Sequence, residues 1–219
     1  MTEEKLEQLL LSVQKPGRYA GNEPNSVIKD KSKVDVRFAF CFPDTYEVGM
    51  SHLGIKILYS QFNSKDYIWC ERVFAPWIDF EQVMRDNDIP LFALESHDSV
   101  SEFDIIGFTL QYELSYSNIL NMLDLAGVPL YSKDRKGLKN LVVAGGPCAC
   151  NPEPISDFVD LFFLGDGEEV DLELIDLYRE CKKKNTSKDE FLRLAAKIEG
   201  VYVPALYNIE YCEDNTVKK

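Results

Sequence analysis

The groups in this sequence best suited to proton transfer are two histidines, His52 and His97, and a set of acids that follow apolar runs. The stretch PDTYEVGMSHLG, residues 43–54, places Asp44, Tyr46 and Glu47 a few residues ahead of His52. Carboxylates and an imidazole at strand ends are reasonable general acids and bases, and Asp166 in GDGEE belongs to the same class. An acid/base enzyme using Asp44, Glu47 and His52 is therefore one reading, although no nucleophile paired with a base stands out. His97 in ESHDSV reads as a loop residue. The six cysteines (Cys41, Cys70, Cys148, Cys150, Cys181 and Cys212) supply one CxC and no second pair at zinc spacing, so they are expected as reduced thiols. Neither GxGxxG nor GxxxxGK followed by Ser or Thr occurs, so nucleotide-phosphate loops of those kinds have no support.

Charge narrows the partners. The 219 residues carry 37 acids against 24 Lys and Arg, a net charge of -13. Nucleic-acid binding needs a basic face to neutralise phosphates, and the one basic cluster, Lys182-Lys183-Lys184, reads as a solvated helix end. No apolar run reaches the roughly 18 residues of a membrane span. The N-terminus opens on acids, with Leu6, Leu9, Leu10 and Val13 at helical spacing, and lacks the basic start of a signal peptide. The expectation is a cytoplasmic protein with no membrane or nucleic-acid partner for this segment.

The elements that must position these groups follow from the apolar patterning, and 45% of the residues are hydrophobic, enough for a core. Residues 34–42, 67–76, 103–111, 140–146 and 158–164 are runs of β-branched and aromatic residues that predict strands, with a brief one at 90–96. Helices are predicted over 50–62, 77–87, 115–127, 168–181 and 187–200, Gly127 stopping the third. In the 50–62 helix, Met50, Leu53, Ile57 and Leu58 are expected to face the core, which puts His52 inside the helix as a surface or capping residue. The tail from 201 reads as a strand or an extended connector. Strand and helix alternate, so the fold class expected is α/β: a doubly wound, mostly parallel sheet covered on both faces, flavodoxin-like, with an extra N-terminal helix. The chain divides into a lead-in at 1–33, the α/β domain at 34–182, and a helix with connector at 183–219.

Ligands of such sheets bind beyond the carboxyl ends of the strands. Four loops qualify: PDTYEVG, TLQYELS, GGPCACNPEP and GDGEE. Gly145-Gly146-Pro147 lets a backbone approach a ligand closely. The acids of GDGEE sit where a helix begins, and capping alone would account for them.

The segment LVVAGGPCACNPEPISDFVDLFFLGDGEE resembles GGPHATxxPEE…VDxxxxGEGE of cobalamin-binding radical S-adenosylmethionine (SAM) proteins, on Gly145, Gly146, Pro147, Pro152, Glu153, Asp160, Gly165, Gly167 and Glu168. RYAGNEPN and YEVGMSHLGIKILY extend the resemblance to roughly residues 15–208. It implies a flavodoxin-like N-terminal domain that precedes a radical SAM barrel and binds cobalamin, with the barrel as its intramolecular partner. The cobalamin motif DxHxxG, SxL, GG maps onto Asp44 to Gly49 with Tyr46 at the histidine position, onto Thr109, and onto Gly145-Gly146. Asp44, Tyr46, Gly49, Thr109, Gly145, Gly146, Pro147, Gly165, Gly167 and Glu168 are thus the expected cofactor-binding residues. A phenol of ordinary pKa about 10 is a poor cobalt ligand. The resemblance therefore implies either cobalamin bound base-off without a protein ligand, or the fold kept as a substrate or interaction module. CxxxCxxC, whose thiolates hold three irons of a four-iron cluster, does not occur. The four-iron four-sulfur cluster and S-adenosylmethionine are accordingly expected only in a barrel beyond IEGVYVPALY, and this chain alone is not expected to be catalytic. A flavodoxin-like FMN binder is the remaining alternative; it would want a Ser/Thr-rich phosphate loop where PDTYEVG offers one hydroxyl, Thr45.

Overall fold

The apolar runs assemble, in a computed structural model that describes residues 3–214 and 216–218, into one six-stranded sheet. Its strands are β1 (Val36–Phe42), β2 (Ile68–Phe74), β3 (Ile105–Thr109), β4 (Leu141–Gly145), β5 (Leu161–Phe163) and β6 (Val201–Tyr202). The spatial order is β2-β1-β3-β4-β5-β6, with the first five parallel and β6 antiparallel to β5. That is the flavodoxin-like order, and winding reverses between β1 and β3.

Both faces are covered because the strands alternate two apolar sets. Ala39, Cys41, Ile106, Phe108, Val142 and Ala144 face α1 (Glu3–Leu10), α4 (Ile78–Asp86) and α5 (Tyr116–Leu125), which contribute Leu6, Phe80, Met84 and Leu123. Phe38, Phe40, Ile105, Val143, Leu161 and Phe163 face α3 (Leu53–Asn63), α6 (Gly167–Lys184) and α7 (Lys188–Ala195), which contribute Phe62, Leu174, Tyr178 and Phe191. Gly127 ends α5 region at φ +66, as its left-handed conformation requires.

Two expectations change, and an open one, the tail, is decided. The 50–62 helix breaks at His52, whose φ of -78° and ψ of 122° end α2 (Tyr46–Ser51) and begin α3. Helical phase restarts there, so Ile55, Tyr59 and Phe62 face the core, while Leu53 is 68% and Ile57 43% exposed. Residues 90–96 form no ladder strand and only one isolated bridge, Phe92 to Ser99. Leu91, Phe92, Ala93 and Leu94 are buried as core packing, and their amides go elsewhere, Leu91 N–H to Leu125 and Leu94 N–H to Arg72. The tail gives a two-residue antiparallel edge strand, then a 3-10 turn at Pro204–Leu206. Among the described residues, no helix is long and apolar enough to cross a membrane.

Candidate ligand-binding site

A cavity of about 430 Å³ opens between the sheet and helices α3 and α6, at the carboxyl ends of β1, β3, β4 and β5. Its walls are Phe38 and Phe40 from β1, Val143 from β4, Phe163 from β5, and Ile55, Leu58 and Phe62 from α3. Glycine on β3 seats the Phe38 wall: a Cβ at Gly107 would lie 2.4 Å from the Phe38 ring, which packs directly over it. Gly145 and Gly146 form one rim. Gly146 has φ +108, which favours glycine, and its turn is held to the end of β3 because Leu110 N–H donates to Gly145 O at 2.7 Å and Cys148 N–H to Leu110 O at 3.1 Å. Gly165, at φ +110, and Asp166 form the opposite rim, where α6 begins.

Two lining side chains carry buried polar atoms without a hydrogen-bond partner. At the α2–α3 break, the His52 ring sits 5.4 Å from that of Phe42, and His52 Nε2 lies 3.1 Å from Gln111 Oε1. The Gln111 amide in turn donates to Thr109 Oγ1. With the Gln111 oxygen as acceptor the imidazole carries its proton on Nε2, and its buried Nδ1 has no hydrogen-bond partner. The second is Asp171, 7% exposed, whose Oδ1 is also buried without a partner. Burial first, and then the neighbouring Glu168 carboxylate, push its pKa up to about 8. No Lys or Arg lines the cavity among the described residues.

Of the residues expected from sequence, Thr109, Gly145, Gly146, Pro147, Gly165, Gly167 and Glu168 line this one cavity, with Asp166 and His52 beside them. Asp44, Tyr46 and Gly49 lie away from it. The Tyr46 ring packs edge-on against Phe74 at 5.5 Å, and burial and then Glu23 raise its phenol above the ordinary value. Asp44 Oδ1 accepts from Thr45 N–H at 2.6 Å, and its carbonyl from Ala75 N–H at 3.0 Å. Glu47 does not meet His52; it pairs with Arg18 at 2.9 Å and Lys15 at 3.0 Å, and those cations pull it down to about 2. The RYAGNEPN segment supplies that arginine, stacks Tyr19 on Phe80 at 4.1 Å, and pairs Glu23 with Arg72 at 2.9 Å. It straps the loop after β1 from outside. Gly49 is there for packing, since a Cβ would sit 2.2 Å from the Phe74 ring. Gly49→Ala is expected to destabilise the fold by about 1–3 kcal/mol in urea denaturation, as overpacking does.

A family model of the N-terminal region of radical SAM proteins matches residues 54–204, from the start of α3 to the turn beyond β6. The chain belongs to that family. The match takes in both glycine rims, Thr109, Gln111 and Asp171, and leaves Asp44 to Gly49 outside. An uncharacterized protein of Methanocaldococcus jannaschii is 29% identical over 173 residues, covering 75% of this chain and 33% of that protein. The chain thus spans about a third of the length of that curated relative. No solved structure matches it significantly.

Within this radical SAM N-terminal domain, residues the sequence reading passed over also build the site. Phe38, Phe40 and Gly107 are interior strand positions, and nothing in their order marks a cavity. Asp171 did carry a signal: it stands at 171 with Leu174, Ile175 and Tyr178 at the i+3, i+4 and i+7 positions, an acid in the apolar stripe of a helix. Gln111, two positions past the end of β3, lies in TLQYELS, one of the loops expected to reach ligands, though it was not singled out there. The chain's own residues do not fit an iron-sulfur cluster. Cys41, Cys70 and Cys181 are buried in separate elements, and among the described residues no three His, Cys, Asp or Glu side chains converge as a metal ion would need.

Proposed function

We propose that this domain is the accessory domain of a radical SAM protein and holds a cobalamin base-off at the cavity beneath Gly145 and Gly146. The observation that supports this reading most directly is the cavity itself: aromatic, of small-ligand size, and placed at the switch point with two glycine rims. Bound there, cobalamin would supply methyl-transfer or radical chemistry at cobalt. The chain's part is to bind and orient. The phenylalanines exclude water, Gly145 and Gly146 admit the ligand against bare backbone, and Gln111 fixes the His52 ring beside the cavity. In this reading the iron-sulfur cluster and S-adenosylmethionine belong to a barrel in the same protein, and that barrel is the domain's partner. The six free cysteines suit a reducing cytoplasm.

The test is a visible-spectrum titration of the purified domain with hydroxocobalamin. A spectral shift and a chromophore retained through gel filtration are expected. Gly145→Val should weaken retention at least about tenfold without unfolding the domain, because a Cβ at Gly145 meets its nearest neighbour, Phe163, at 3.4 Å. No shift in the wild-type domain would sink the reading. It would leave the second one, a fold kept as an interaction module, which draws its support from Tyr46 at the histidine position turning toward Phe74.

A further inference from the structure

Asp171 has no partner that explains its burial. Its side chain lines the cavity one turn inside α6, 7% exposed, over a glycine: a Cβ at Gly167 would lie 2.9 Å from Asp171 Oδ2. Oδ1 has no hydrogen-bond partner. The titratable groups that share the lining are Glu168 and Asp166 on the α6 side, His52 on the α3 side and Cys150 beyond β4; β1 and β3 contribute none. No cation is among them to hold a carboxylate. A charge buried this way is strongly disfavoured, whereas a neutral carboxyl keeps an O–H donor with nothing on the protein to receive it.

We infer that Asp171 is the donor by which this cavity recognises a flat, neutral nitrogen heteroaromatic, through a hydrogen bond to an unsubstituted ring nitrogen. The rest of the lining selects the same class. Phe38, Phe40, Phe62 and Phe163 make the wall aromatic, and Gly145 leaves the end of β4 without a side chain at the rim. An anionic ligand would meet Asp166 and Glu168 without a countercharge. The upward shift of Asp171 keeps the donor in place at neutral pH. The inference rests on the cavity being a ligand site and does not require that the ligand be cobalamin.

The probes are 1-methylbenzimidazole, whose second ring nitrogen only accepts, and 1-methylindole, of the same shape with no acceptor nitrogen. Ligand-observed NMR titration of the full chain at about pH 6.5 should show the benzimidazole bound about tenfold more tightly. Asp171→Leu should abolish that preference. Asp171→Asn, which retains an N–H donor, should keep it and should hold it at about pH 9.5, where the wild-type carboxyl has ionised and lost it. Equal binding of the two rings, a preference that survives Asp171→Leu, or wild-type binding that strengthens as pH rises would each overturn the inference; the last would mark a cationic ligand. If Asp171→Leu does not fold, the pH comparison of wild type with Asp171→Asn decides alone. A failed hydroxocobalamin titration with the ring preference intact would remove the cobalamin reading and leave this one standing.

Discussion

Asp160→Ala is expected to lower the unfolding free energy by about 3–5 kcal/mol, read by urea denaturation. Asp160 is 1% exposed and is the only carboxylate paired with two buried cations, Arg135 at 3.2 Å and Lys188 at 2.6 Å, among the ion pairs of the described residues. It also accepts from the Val142 amide at 2.7 Å and from the Ser132 hydroxyl. The remaining donors of Arg135 go to the carbonyls of Pro129, Leu130 and Phe158, and those of Lys188 to Ser132 and Arg135. Alanine would leave two positive charges inside the protein with carbonyls alone to hold them. It would also orphan the β4 amide that fixes the start of that strand. A loss under about 1 kcal/mol would show that water reaches the cluster and that its charges are not truly buried. Asp160 is one of the residues that carry the family resemblance, and its place in the fold accounts for it without any contact to a cofactor.

The second large effect is a stability that depends on pH through Asp171. The folded protein raises this carboxyl from an ordinary 3.8 to about 8, so the native state holds the proton more tightly than the unfolded chain does. Its contribution is therefore complete below about pH 4 and is lost as pH climbs toward about 8, at about 1.4 kcal/mol per pH unit at most. Asp171→Asn keeps the shape and removes the titration. The variant should match the wild type near pH 4 and exceed it by several kcal/mol, about 6 at the limit, near pH 9. Glu71, pushed up to about 6 mainly by burial, titrates in both proteins and cancels in the difference. Parallel stability curves for the two proteins would mean that Asp171 finds a solvated or paired state.

Much of this was legible in the residues. The five parallel strands stand within a few positions of their apolar runs, and the loops that follow β3, β4 and β5 do meet at one cavity. Periodicity misled where the backbone itself changed. It was counted through His52, and the extended residue there resets the phase of everything after it. It also took the buried run at Leu91 to Leu94 for a strand, because apolarity reports burial and says nothing about which amides pair. The loop after β1 lies at the right edge of the sheet, yet Tyr46 faces Phe74. That direction comes from a strap of residues more than twenty positions earlier, Arg18 on Glu47 and Glu23 on Arg72, and no local pattern encodes it. The cavity itself was equally hidden, since it depends on which side chains from four separate strands leave space together.

One side of the cavity is held far more loosely than the other. β1 and β2 pair through seven consecutive positions, while β5, three residues long, meets β4 at two and β6 at two. Amide exchange tracks such differences, and the β5–α6 wall should breathe at a fraction of the free energy needed to unfold the sheet. If that wall opened, Gly165, Gly167 and Asp171 would move with it while the longer β1–β2 pairing held. Once seated, a guest would slow exchange first in β5 and β6, the strands with the least pairing of their own to lose.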